Sequence, residues 1–223
     1  MIDARMKEIA DMGVNLKGIH FHCGSGMHGS SGFGKAIKLA RRCMEIGRLN
    51  GHEMHTLDIG GGFPASDLPQ STIDALKPTL NDPLNFRVIA EPGRHMSSRC
   101  FYLVTRILGM RIKNGKPCFH MNDSVYHSFN CTLMDGISFD NSDQFYSKVQ
   151  NGNIDGISQL HNATLFGMTC DGMDIISKNL GVPIEAGVGD WFCFGGMGAY
   201  THGSKSNFNG MNTTEETFKL SVP

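Results

Sequence analysis

The sequence lacks a long apolar run, a paired-cysteine motif and a charge of either sign in excess. A membrane-spanning helix needs roughly 20 consecutive apolar residues, and even residues 101–110 are interrupted by Arg106. The opening Met1-Ile2-Asp3-Ala4-Arg5 has no apolar leader core, so no secretory signal is expected. Lysine plus arginine number 20 against 21 acids, a net charge of -1. That balance gives no electrostatic footprint for nucleic acid or an anionic membrane, and neither is expected as a partner. The 7 cysteines are odd in number, widely spaced and without C-x-x-C. This argues against a disulfide framework or structural zinc, and for the reduced thiols of a cytoplasmic protein.

What is present suits an ordinary globular chain. Its 223 residues are enough for one large domain or two small ones. The 14 methionines suggest a core tolerant of irregular gaps. The first hundred residues alternate strand and helix signals. Gly18-Ile19-His20-Phe21-His22 reads as a strand entering a Gly/Ser loop over 24–34, followed by a helix over 35–48 on Ile37, Ala40 and Met44. Leu57-Asp58-Ile59 and Phe86-Arg87-Val88-Ile89-Ala90 read as further strands, with a short helix over 69–80 between them. Repeats of this kind build a parallel sheet.

After Arg94 the texture becomes that of an antiparallel β domain. Strands are expected over 100–112, 117–122, 128–133, 164–170 and 190–194, with helical character over 173–180 and a polar, mobile connection over 140–162. The organisation is therefore residues 1–96 in an α/β unit and 97–223 in a β domain. Three βα units do not close a (β/α)8 barrel, which takes about 250 residues. An open parallel sheet needs its edges covered by other strands.

Several short motifs carry chemistry. Gly60-Gly61-Gly62 follows a strand and serves either as an anion cradle of backbone N–H groups or as a tight turn. Glu91 and Arg94 stand at the end of the third strand. They suit a protonated ring nitrogen and a phosphate, or a plain surface ion pair. His20 and His22 alternate on one strand, a pattern open to metal ligation with Asp58 or Glu91, or to ordinary packing. Cys170-Asp171 offers a thiol beside a carboxylate; Asp171 could equally be an N-cap. Tyr200 lies in a glycine-rich stretch, and Phe208-Asn209-Gly210 has the look of a turn.

In this order the motifs resemble the pyridoxal-phosphate-dependent decarboxylases of basic amino acids, ornithine decarboxylases above all. The likeness runs over about residues 16–210. It implies the carboxy-terminal half to two-thirds of the family's fold: part of a cofactor-binding (β/α)8 barrel, then an antiparallel β-sandwich or barrel domain. A return segment of that domain would contribute to the barrel side of the site. His22 matches the residue that stacks on pyridoxal 5'-phosphate and Ser25 one that binds its phosphate, with the glycine triplet and Arg94 as further ligands. Glu91 matches the partner of the ring nitrogen and Tyr200 a phosphate-binding tyrosine. Asp135 and Asp171 match carboxylates that receive the substrate, with Tyr126 and Phe208 beside them. Cys170 matches a proton donor that works across a dimer interface.

The departures shape the expectation. The family's cofactor lysine, in a motif resembling Tyr-Ala-Val-Lys, has no counterpart here, and Lys7, Lys17 and Lys35 lack its context. Met134 stands where a tyrosine is usual, and Phe166 and Met168 replace a tryptophan and a proline. The resemblance implies a truncated, cytoplasmic relative of the enzyme that converts L-ornithine to putrescine and carbon dioxide. This chain alone is expected to be inactive, and a homodimer or a heterodimer with a full-length relative is expected. Two alternatives stand: a non-catalytic member that binds a partner or an antizyme-like regulator, and a metal-dependent barrel hydrolase using His20 and His22.

Overall fold

A computed structural model describes residues 1–25, 30–68, 70–81, 86–140, 145–150, 153–154 and 160–212. The chain divides into two compact units, Met1–Met96 and Ser97–Pro223.

The first unit begins with a helix, α1 (Ile2–Asp11), that the sequence reading did not anticipate. Ile2, Met6 and Ile9 share one face, Met6 is buried, and Gly13 at φ +77 ends the helix. Then come β1 (Gly18–His20), α2 (Ser30–Leu49), β2 (Thr56–Asp58), α3 (Gln70–Leu80), β3 (Arg87–Ile89) and the short α4 (Gly93–Ser97). The three strands form a parallel sheet in the order β1-β2-β3. The loop expected over 24–34 is shorter than read, because α2 already starts at Ser30. Phe33, Ile37, Ala40 and Met44 then bury one helical stripe. Phe33 stacks on Phe63 with ring centroids 5.2 Å apart. Buried His52 joins helix to helix: its Nε2 lies 2.9 Å from the Met6 carbonyl, and its Nδ1 accepts the Leu16 N–H.

In the second unit β4 (Leu103–Lys113) and β5 (Lys116–Met121) make a hairpin. Asn114 and Gly115, both at positive φ, form its two-residue turn. A short helix, α5 (Cys131–Met134), follows, then β6 (Phe145–Gln150), β7 (Asn153–Ile154), β8 (Leu160–Phe166), β9 (Ile175–Pro183) and β10 (Trp191–Phe194). The sheet order is β7-β6-β10-β4-β5-β8-β9. Its core centres on Phe129, which meets Phe139 and Phe194 edge-on at 5.4 and 5.0 Å.

Several expectations need correction. Residues 128–133 are turn and helix rather than strand, since Asn130 and Cys131 open a single helical turn. The helical character over 173–180 is strand β9. Ile176 and Leu180 are four apart, but pairing with β8 decides the conformation. The strand expected to reach Cys170 stops at Phe166. The polar segment over 140–162 contains β6, β7 and the start of β8; its residues 141–144, 151–152 and 155–159 lie outside the described residues. The sheet is also not wholly antiparallel, because β5 and β8 pair in parallel.

Candidate functional site

In the first unit the loops at the carboxyl ends of β1, β2 and β3 meet. His20 pairs in register with Asp58, and Asp58 with Ile89. Gly60 and Gly62 hold φ of +64 and +90. A Cβ on Gly60 would lie 2.2 Å from the Phe21 carbonyl oxygen, and one on Gly62 2.2 Å from that of Gly24. At Gly61 it would lie 2.9 Å from the Glu91 carbonyl. The triplet is thus wedged against two other loops and has no room for a side chain. Asp58 Oδ1 accepts the Gly60 N–H at 2.9 Å and steadies the turn.

Arg94, buried in α4, points its guanidinium at Ser25, with Nη2 and Nε 3.2 and 3.4 Å from Oγ. A hydroxyl, a guanidinium and close-packed glycine amides are the donor set of a phosphate-type anion. A glycine loop that a Cβ would fill shows that these residues fit such a group. Gly26, the last residue of the matching His-Cys-Gly-Ser-Gly loop, and His28 lie outside the described residues. His22 is exposed, and its Nδ1 accepts the Gly24 N–H at 2.9 Å. In the neutral ring the proton is therefore on Nε2. A Cβ on Gly61 would lie 3.0 Å from that nitrogen, so the ring lies alongside the triplet.

His22 is not in the group of ligand-type side chains that gathers at the strand ends. β1 ends at His20, so strand alternation no longer governs His22. His20 instead joins Asp58 and Glu91, one ligand-type atom of each lying within 4.8 Å of the others. Its Nε2 is 3.8 Å from Glu91 Oε2, with both side chains more than half exposed.

The second unit gathers another set. The Tyr126 hydroxyl donates to Asp171 Oδ2 at 2.8 Å, and the Tyr126 ring packs on Phe208 at 4.1 Å. Asp171 Oδ1 accepts the Met173 N–H at 2.9 Å. That backbone bond first, and the Tyr126 hydroxyl second, hold the Asp171 carboxyl below the usual carboxylate range. The same hydroxyl bond pushes the Tyr126 phenol up. Asp171 accepts these bonds in a turn that leads to a strand, so it is not a helix N-cap. Cys170 is exposed, and the Asn209 amide donates to its sulfur at 3.6 Å. Asn209, at φ +58, sits in the left-handed turn that brings the amide round.

Asp135 directly follows α5, its N–H bonded to the Cys131 carbonyl, and is half-buried. Tyr200 is exposed in the turn after β10, at φ +55. The sequence reading missed Asp174 as a structural centre. It is buried and accepts from the Ser124 hydroxyl, the Val125 N–H, and both the N–H and the hydroxyl of Thr169. A Cβ on Gly167 would lie 2.0 Å from its Oδ1, so that glycine exists to admit the carboxylate. Two acids three residues apart around Gly172 were the available signal. Fully buried His127, neither ring nitrogen of which has a partner among the described residues, had none.

The profile of the family described as "Pyridoxal-dependent decarboxylase, pyridoxal binding domain" matches residues 2–98. A chloroplastic ornithine decarboxylase of Nicotiana glauca is 34% identical over 206 residues, 90% of this chain and 47% of that protein. Antizyme inhibitor 2 of Xenopus laevis is 32% identical over 227 residues, 92% of this chain and 48% of that protein. The crystal structure of the arginine decarboxylase of Paramecium bursaria Chlorella virus bound to agmatine superposes with a TM-score of 0.81 at 28% identity. The match covers 94% of this chain and 57% of the viral one. The chain spans about half the length of the curated relatives it matches. The fold is that of these decarboxylases, part of a barrel together with a sheet domain.

Proposed function

Because the chain belongs to the pyridoxal-dependent decarboxylases, as an ornithine decarboxylase-like member, we propose that it holds pyridoxal 5'-phosphate and serves decarboxylation of L-ornithine to putrescine. The observation that carries this reading is the glycine triplet wedged between the 21–25 loop and Glu91, with Arg94 and Ser25 beside it. When bound, the cofactor supplies an electron sink for loss of carbon dioxide. The residues of the chain do the rest. Ser25, Gly60, Gly61, Gly62 and Arg94 bind the phosphate. Glu91 would keep a proton at the ring nitrogen, and His22, with its proton on Nε2, would orient the ring.

In the second unit Asp171 stays ionised because Met173 and Tyr126 both donate to it. A half-buried carboxylate whose charged form is favoured suits the distal ammonium of a diamino acid. Asp135 is assigned the same ligand, with Phe208 as an apolar wall. Cys170, held by Asn209, returns a proton to the substrate carbon, and a dimer is the functional unit. All 7 cysteines are free, which supports a reducing, cytoplasmic setting. No helix among the described residues is long and apolar enough to cross a membrane.

The similarity to antizyme inhibitor 2 favours a second reading, a non-catalytic member that acts by binding a partner. Borohydride reduction of the protein from its own cells, followed by peptide mapping, separates the two. A pyridoxyl group on a lysine peptide that this sequence does not contain, together with carbon dioxide released from carboxyl-labelled ornithine, supports the enzyme. An unlabelled protein that releases none supports the binding role.

A further inference from the structure

We propose that Asp174 is the positioning residue of the Tyr126–Asp171 pair, holding both members in place through two hydroxyl relays that meet on one of its carboxyl oxygens. The assignment of that pair to a cationic substrate rests on the reading above; the positioning itself does not.

Tyr126 and Asp171 lie 45 residues apart, on two separate turns, and both are half-buried. The 2.8 Å hydrogen bond between them requires those turns to keep one relative position. Asp174 connects the turns from beneath. It is 1% exposed, and its Oδ2 accepts the Ser124 hydroxyl at 3.0 Å from one turn and the Thr169 hydroxyl at 2.6 Å from the other. A hydroxyl has one proton and two lone pairs. Ser124 and Thr169 both direct that proton to Asp174, so each is left able only to accept. What each accepts is the backbone amide of one member of the pair. Tyr126 N–H donates to Ser124 Oγ at 3.0 Å, and Asp171 N–H donates to Thr169 Oγ1 at 3.4 Å.

The bond from the Tyr126 hydroxyl to Asp171 Oδ2 closes the ring Asp174–Ser124–Tyr126–Asp171–Thr169. The direction of every bond in it follows from the two hydroxyl protons pointing at Asp174. The Asp174 carboxyl is itself fixed, because Val125 N–H donates to Oδ1 at 3.1 Å and Thr169 N–H to Oδ2 at 2.9 Å. Its backbone is tied to the same turn, with Asp174 N–H on the Asp171 carbonyl at 3.0 Å. Buried hydrogen bonds meet little competition from water, so a network of this kind moves as a unit. Loosening either relay should therefore shift one member of the pair away from the other, although neither Ser124 nor Thr169 touches the Asp171 carboxyl through its hydroxyl.

The test is carbon-13 titration of the Asp171 carboxyl in the full chain without ligand. The Met173 N–H first, and the Tyr126 hydroxyl second, hold that carboxyl low. Ser124→Ala leaves Asp174, Tyr126 and Asp171 intact, yet it should raise the Asp171 carboxyl as far as Tyr126→Phe does. The double variant Ser124→Ala/Tyr126→Phe should rise no further than Tyr126→Phe alone. Thr169→Val should raise the carboxyl as well, and Thr169→Ser, which restores the hydroxyl, should titrate as wild type. If Ser124→Ala does not fold, the two Thr169 variants, at a half-buried position, carry the test. An Asp171 titration unmoved by loss of the relay hydroxyls would overturn the proposal and leave Asp174 a residue of stability alone. Shifts that add in the double variant, or a Thr169→Ser that behaves as Thr169→Val, would overturn it too. The readout needs neither cofactor nor substrate, so failure of the decarboxylase reading leaves these outcomes readable.

Discussion

In the first unit the candidate site is made of backbone. Gly60, Gly61 and Gly62 approach neighbouring carbonyls so closely that no side chain fits, and strand register sets where they lie. In the second unit the corresponding surface is made of side chains, Tyr126 against Asp171 and Asn209 against Cys170, on turns beside a large sheet. A backbone site is all-or-none: one methyl group displaces a loop. A side-chain site is graded, and single atoms can be removed while the fold stays. Part of the second unit resists this description, because Asp174 locks its turns from within.

The contrast can be broken most directly at Gly62. With φ at +90 and a Cβ 2.2 Å from the Gly24 carbonyl, Gly62→Ala should weaken binding of pyridoxamine 5'-phosphate by roughly 100-fold, or about 3 kcal/mol. Calorimetric titration checks this, and a loss within threefold would mean that the cradle is not built from backbone. Next comes Asp174→Ala, which leaves four donors without their buried acceptor. It should destabilise the protein by about 3 kcal/mol in urea unfolding. A loss near that of a surface substitution would show that the turns hold without it.

A smaller effect is expected at Asp140, whose Oδ1 accepts from Ser177, Lys178 and Asn179. Burial pushes its carboxyl up, but the bonds from Ser177, Asn179 and Lys178 outweigh burial and hold it below the usual range. A lowered folded value means that the stabilisation is complete above the ordinary aspartate pKa of about 3.9 and fades as pH falls through the folded value. Wild type should therefore exceed Asp140→Asn in stability at pH 6, and the gap should narrow as pH falls below about 3.9. A gap independent of pH would contradict this account. Smallest is Tyr126→Phe, which should leave the unfolding midpoint nearly unchanged. It should raise the Asp171 carboxyl only part of the way, because the larger influence, the Met173 N–H, remains. Carbon-13 titration of the Asp171 carboxyl reads that shift.

Much of the first unit was legible because its strands are short apolar runs closed by glycine or proline, as at Asp58-Ile59-Gly60 and Ala90-Glu91-Pro92. α1 was overlooked because it buries only Met6, a weak signal over 10 residues. In the second unit local pattern misled where distant pairing decides. β9 has apolar residues at helical spacing and becomes a strand only by meeting β8. The parallel β5–β8 contact joins segments that no local rule connects. The site shows the same division. The identities of Ser25, Arg94, Tyr126 and Asp171 were readable from motifs. Their contacts, Arg94 with Ser25 across 69 residues and Tyr126 with Asp171 across 45, belong to the fold.

The central claim is that the first unit grips a phosphate through the glycine triplet, Ser25 and Arg94. The most direct measurement titrates the protein with pyridoxamine 5'-phosphate and with pyridoxamine, neither of which has an aldehyde to react with lysines. The account predicts that the phosphate form binds more tightly by roughly 100-fold, and that Arg94→Met removes the difference. Equal binding of the two forms, or an Arg94→Met variant that still prefers the phosphate, would contradict it.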